Sequence, residues 1–105
     1  MKIVAVTACP TGIAHTYMAA SALQKAAVAQ GHSIKVETQG SIGIENKISQ
    51  KEVDEADFVI FAVDVAVKEE GRFRSKFIYR TQSQKAMKNP KALMEEAVTQ
   101  YQEQK

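Results

Sequence analysis

One cysteine, Cys9, opens the run CPTGIAHT at Cys9–Thr16, and the residues that follow it would let a thiol act on an anion. A free thiol titrates near about 8.5, and a helix N-terminus lowers that value because unpaired N–H groups and the helix dipole favour the thiolate. The same amides can cradle an incoming phosphoryl group. The backbone from Gly12 to Thr16 therefore reads as a ring of donors, with Gly12 permitting close approach and positive φ. Pro10 has no N–H to give but fixes φ as the chain leaves the cysteine. The hydroxyls of Thr11 and Thr16 add donors. Cys9 is thus the candidate nucleophile, with Pro10, Thr11, Gly12, Ile13, Ala14, His15 and Thr16 as its phosphate-binding loop. The competing reading is a small hydrophobe packed in a core. Its place between a strand and a Pro-Thr-Gly turn argues for the reactive one.

Cysteine phosphoryl chemistry has two forms that the spacing separates. A tyrosine-phosphatase loop is cysteine, five residues, arginine, and the arginine clamps the phosphate during hydrolysis. Here that position holds His15. The loop reads as one that holds a phosphoryl group rather than hydrolysing it. His15 itself is either a donor to that group, a contact to a partner, or a surface histidine at the helix start. His32, after Gly31, reads as a solvent-facing turn residue.

With a single cysteine the chain can form neither an internal disulfide nor a multi-cysteine metal site, and no cofactor is expected. At 105 residues, 45% hydrophobic and 25% charged, it reads as one ordinary globular domain, 1–105. A formal charge of +2 is too small for a nucleic-acid footprint. The local basic run Arg72, Arg74, Lys76, Arg80 is either a steering field for a negatively charged partner or a solvated loop and strand edge. The apolar residues after Met1 are too few for a secretory leader, and Phe58–Val63 is far short of the ~20 residues of a membrane helix. The expectation is a soluble, intracellular protein.

The elements that must position the cysteine alternate between strand and helix. Ile3–Val6 and Asp57–Asp64 are continuous apolar runs, the pattern of strands buried on both faces. Ile13 to about Gln30 is alanine-rich with Ala19, Leu23 and Ala26 at helical spacing, and Gly31 stops it. Ser33–Thr38 alternates, predicting a half-exposed strand at a sheet edge, and Gln39–Gly43 turns the chain. Ser49 with Glu52 three residues on predicts a short capped helix. Lys76–Thr81 reads as a further strand and Pro90 opens a last helix, Lys91 to about Gln102. Together these predict an α/β fold: one open, mainly parallel four-stranded sheet with helices on both faces, a Rossmann-like three-layer sandwich. In such sheets ligands bind beyond the carboxyl ends of the strands. Gln39 and Gly40 then rim the pocket or make a plain turn, Asp64 bonds to loop amides rather than to a phosphate dianion, and Arg72 sits at the rim. Ile13, Tyr17 and Met18 form an apolar collar for a partner or belong to the core.

The segments CPTGIAHT (Cys9–Thr16), ETQGSIGIEN (Glu37–Asn46) and ADFVIFAVD (Ala56–Asp64), followed by Arg72-Phe73, resemble the fructose-type enzyme IIB component of the bacterial phosphoenolpyruvate-dependent sugar phosphotransferase system (PTS). The likeness runs from about Lys2 to Tyr79, with Ser75 standing where the family often has glycine. It implies a cytoplasmic domain, peripheral to the inner membrane, whose Cys9 takes a phosphoryl group from a phosphohistidine on a IIA domain. The group then passes to a sugar, fructose or similar, bound by a membrane IIC component. The other open function is a regulatory or binding domain that senses phosphorylation or redox state through Cys9.

Overall fold

The two runs with no polar face become neighbours at the centre of the molecule. In a computed structural model, which describes residues 1–8, 13–40 and 43–104 with the side chains of 13–15 excepted, β1 (Lys2–Ala8) pairs in parallel with β4 (Phe58–Val63). On its other side β1 pairs in parallel with β2 (Ser33–Gly40), and β5 (Ile78–Thr81) extends the sheet beyond β4. The expected four strands are five. A three-residue strand, β3 (Gly43–Glu45), folds back antiparallel on β2, giving the order β3-β2-β1-β4-β5. Three residues are too few to show a period, and the reversal uses Gly43 at φ +108, a conformation L side chains rarely adopt.

β3 pairs only with the last three residues of β2, so that end of the strand is covered while its first residues keep the part-exposed edge that the alternation suggested. Helices α1 (Ile13–Ala29), α3 (Ser83–Lys88) and α4 (Pro90–Glu103) lie on one face. There Ile3, Ala5, Val36, Phe58 and Ile60 pack with Ala19, Leu23 and Ala27 of α1 and with Leu93, Met94 and Ala97 of α4. The other face carries α2 (Gln50–Glu55) and a 3₁₀ turn (Glu70–Phe73). Val4, Val6, Val59 and Phe61 meet Ile48, Val53 and Phe73 there, and the Phe61 and Phe73 rings sit edge to face at 5.2 Å. The α3 segment gave no helical signal because it is short and buries only Ser83 and Ala86 fully.

The capped helix is as expected. The Ser49 hydroxyl accepts from the Glu52 N–H while the Glu52 carboxylate accepts from the Ser49 N–H. Glu52 also receives the Lys35 ammonium at 2.8 Å, and these partners hold its carboxyl down to about 2, with the Lys35 hydrogen bond the largest cause.

Leu93 is fully buried between α4 and the sheet, so Leu93→Ala removes apolar contact and leaves a cavity. Urea unfolding of that variant is expected to show a loss of about 2–5 kcal/mol with the m-value unchanged.

Candidate functional site

β1 has neighbours on both sides, and the chain reaches them in opposite directions, first to β2 through α1 and later to β4. The carboxyl end of β1 is therefore the switch point where open α/β sheets bind ligands. Ala8 ends β1 and Ile13 begins α1. The candidate loop joins them: Cys9, Pro10, Thr11 and Gly12 lie outside the described residues, as do the side chains of Ile13, Ala14 and His15 and the residues Ser41 and Ile42 of the expected turn.

On the α1 side, the buried Thr7 hydroxyl donates to the Thr16 carbonyl at 3.2 Å, tying β1 to the first turns of the helix. Thr16 is itself buried. The first turn of α1 contains no acidic side chain, so no charge on the helix itself offsets the positive end of the dipole. On the β4 side, the Asp64 N–H donates to the Ala8 carbonyl at 2.8 Å. The Asp64 carboxylate accepts from the N–H and hydroxyl of Ser83 at the start of α3.

The opposite face of the same strand ends holds a charge cluster that the sequence did not reveal. Glu37, assigned from its alternation to a wet face, has no exposed surface. Its carboxylate accepts four hydrogen bonds: one oxygen from the Ile48 N–H (2.8 Å) and Arg72 Nη1 (2.7 Å), the other from Arg72 Nη2 (2.9 Å) and Gln39 Nε2 (2.7 Å). Arg72 in turn donates from Nε to the Glu69 carbonyl, from Nη1 to the Ile48 carbonyl and from Nη2 to that of Lys68. Its guanidinium also lies over the Phe73 ring. The fork of Arg72 is thus filled by a buried carboxylate and three carbonyls.

Gln39 is likewise no turn residue. It sits within β2, level with Ala8, and its amide pairs with the Lys68 backbone both ways, accepting from N–H at 2.8 Å and donating to C=O at 3.0 Å. Gly40 is the last residue of β2. Burial pushes the Glu37 carboxyl up, but Arg72, Ile48 and Gln39 together outweigh it and leave the group below its ordinary value. Pairing with Glu37 raises Arg72 in turn. No periodicity links Glu37 to a residue 35 positions away, so only the charge of a strand residue beside Gln39 hinted at the pair.

Of the apolar collar, Tyr17 and Met18 are exposed, and the Tyr17 hydroxyl donates to the Glu45 carboxylate of β3. Among the described residues no helix is long and apolar enough to cross a membrane.

A family model described as "PTS system, Lactose/Cellobiose specific IIB subunit" matches residues 4–96. The chain belongs to the PTS IIB family. This IIB domain is 54% identical over 93 residues to the "PTS system fructose-like EIIB component 2" of Escherichia coli, covering 89% of this chain and 88% of that protein. A "PTS system fructose-specific EIIB'BC component" of Vibrio cholerae is 55% identical over 80 residues, 76% of this chain but 14% of that longer protein. Among solved structures, a domain of the fructose-specific IIABC component of Borrelia burgdorferi matches with a TM-score of 0.88 at 49% identity, covering 93% of each chain. The enzyme IIB subunit of the PTS from Escherichia coli matches at 0.90 and 40% identity, over 99% of this chain and 97% of that one. The fructose-type resemblance carried by the CPTGIAHT, ETQGSIGIEN and ADFVIFAVD segments agrees with these relatives.

Because Glu37 is held below its ordinary 4.5, its contribution to stability is complete above that pH and is lost as pH falls through the depressed folded value. Glu37→Gln strands a buried guanidinium and is expected to cost about 3–5 kcal/mol at neutral pH. Its urea midpoint should also change less than that of the wild type when pH is lowered from neutrality to below 4.5.

Proposed function

We propose that this IIB domain is a phosphoryl carrier whose Cys9 accepts a phosphoryl group from a phosphohistidine on a IIA domain and passes it to a sugar bound by a membrane IIC component. The observation that carries the reading is positional: Cys9 directly follows β1 at the switch point of the sheet, and α1 begins four residues later. Membership of the IIB family and a relative whose name joins B and C parts in one chain support it.

In the first step the Cys9 thiolate attacks phosphorus, a P–S bond forms, the P–N bond breaks, and the donor imidazole, carrying a proton on its other ring nitrogen, leaves neutral. In the second step a sugar hydroxyl oxygen attacks, the P–S bond breaks, the thiolate leaves, and the hydroxyl proton passes to a base or to solvent. Both transfers go through a loose transition state with charge on the peripheral oxygens, so positioning and fixed donors matter more than acid or base. Those donors are the backbone amides of Gly12, Ile13, Ala14, His15 and Thr16, with the Thr11 hydroxyl and with Pro10 rigidifying the exit. Gln39, Gly40, Asp64 and Arg72 form the rim. His15 occupies the position of the phosphatase arginine, which favours retention over hydrolysis. The sugar is fructose or a fructose-like hexose, as the relatives' names suggest, and the domain works at the cytoplasmic side of the membrane through IIC.

Intact mass after incubation with phosphoenolpyruvate, the general phosphotransfer proteins and a fructose-type IIA domain tests this. One added phosphoryl group is expected on the wild type and none on Cys9→Ser, with both folded by circular dichroism. Retention of the group in Cys9→Ser would overturn the assignment, and no addition to wild type from an active donor would point to a sensor.

A further inference from the structure

We propose that Gln39 and the Glu37–Arg72 pair are positioning residues for Cys9, strapping the segment after β4 across the end of β1. The inference rests on Cys9 as the carrier and gives Gln39 and Arg72 of the rim, together with Glu37, a role that needs no contact with the phosphoryl group. In the sheet, β2 and β4 flank β1, with Val6 level with both Glu37 and Phe61, and Ala8 level with both Gln39 and Val63. Val6 and Phe61 point into the α2-side core, so Glu37 and Gln39 point to that side as well. The segment after β4 starts at Asp64, whose N–H holds the Ala8 carbonyl, and returns so that Lys68 binds Gln39 of β2. To reach Gln39 from β4 it must pass over the strand between them, which is β1.

Two further observations show that the crossing is fixed. Glu69 adopts left-handed backbone, φ 56 and ψ 38, a strained choice for a non-glycine residue that persists only where surroundings enforce it. The Arg72 Nε–H on the Glu69 carbonyl is one such enforcement. The end of β1, the residue before Cys9, therefore lies between α1, tied by Thr7 to Thr16 on one face, and the strap on the other. In-line transfer is sensitive to displacements near 1 Å, for which about a hundredfold loss in rate is typical.

The test measures acceptance by Cys9 from a phosphorylated IIA domain under saturating and limiting donor, for wild type, Gln39→Ala and Arg72→Lys. Gln39→Ala keeps the buried ion pair, and Arg72→Lys keeps the charge but loses the fork that holds Lys68 and Glu69; urea unfolding identifies the variant that is folded at the assay temperature. Expected is a fall in kcat of about tenfold to a hundredfold with KM for the donor nearly unchanged. The pH profile of Cys9 alkylation by iodoacetamide, which needs no donor, should also move. A folded variant with unchanged kcat and an unchanged alkylation profile overturns the proposal, and so does a loss confined to KM, which would make the strap a partner contact. Wild type that takes no phosphoryl group fails the carrier reading instead, and the alkylation profile then still reports whether the strap acts on Cys9.

Discussion

A carboxylate with no exposed surface dictates the arrangement of one whole side of this domain. Removing such a charge from water costs several kcal/mol, recovered only when every lone pair meets a donor in good geometry. Glu37 meets four, and they come from three separate stretches of chain: its own strand, the entry to α2, and the 3₁₀ turn after β4. The last two of these stretches are not held there by strand pairing. The α2-side core is small, with Val53 the one residue of α2 that is fully buried, so polar fit performs work that area burial performs on the α1 side. Lysine is no substitute at position 72, because the five N–H groups of the guanidinium all find acceptors and an ammonium would leave several carbonyls bare.

The two faces of the sheet thus hold the switch point by different means. Against α1 the contact is close and apolar, with alanines at positions 19 and 27 letting the helix lie near the strands and one hydroxyl, that of Thr7, locking its first turns. Against the strap the contact is a directional network with little tolerance for rearrangement. A site that must accept a group from one macromolecule and deliver it to another benefits from such a frame: transfer geometry is set before either partner arrives, and less ordering is required on encounter.

How much of this could be read from the residues follows their chemistry. The continuous apolar runs of β1 and β4, the alanine-rich α1, the Ser49–Glu52 cap and the proline-led α4 all carry local signals, and each forms as read. The position of Cys9 between strand and helix was legible for the same reason, since it depends on two adjacent elements. What was hidden depends on distant partners. β3 is too short to show a period, α3 has no apolar stripe, and Glu37 looked wet because its alternation is genuine and its burial comes from a segment 35 residues away. The acceptors of Arg72 were hidden for the same cause: a basic run shows its charge and not the distant groups that it binds.

The order of strands has a consequence for synthesis. β1 is made first, yet it occupies the middle of the sheet, and its second neighbour, β4, emerges only after β2, β3 and α2. Closing such a pairing requires the ends of a long loop to meet before any contact rewards it. The nascent amino-terminal half can form β1, α1 and β2, but one edge of β1 stays open on the ribosome with Ile3–Val6 uncovered, the kind of unpaired apolar edge that invites association with other chains. The strand at the centre of the sheet is therefore the one that waits longest for its second neighbour, and its vulnerable interval is set by elongation rate and not by stability.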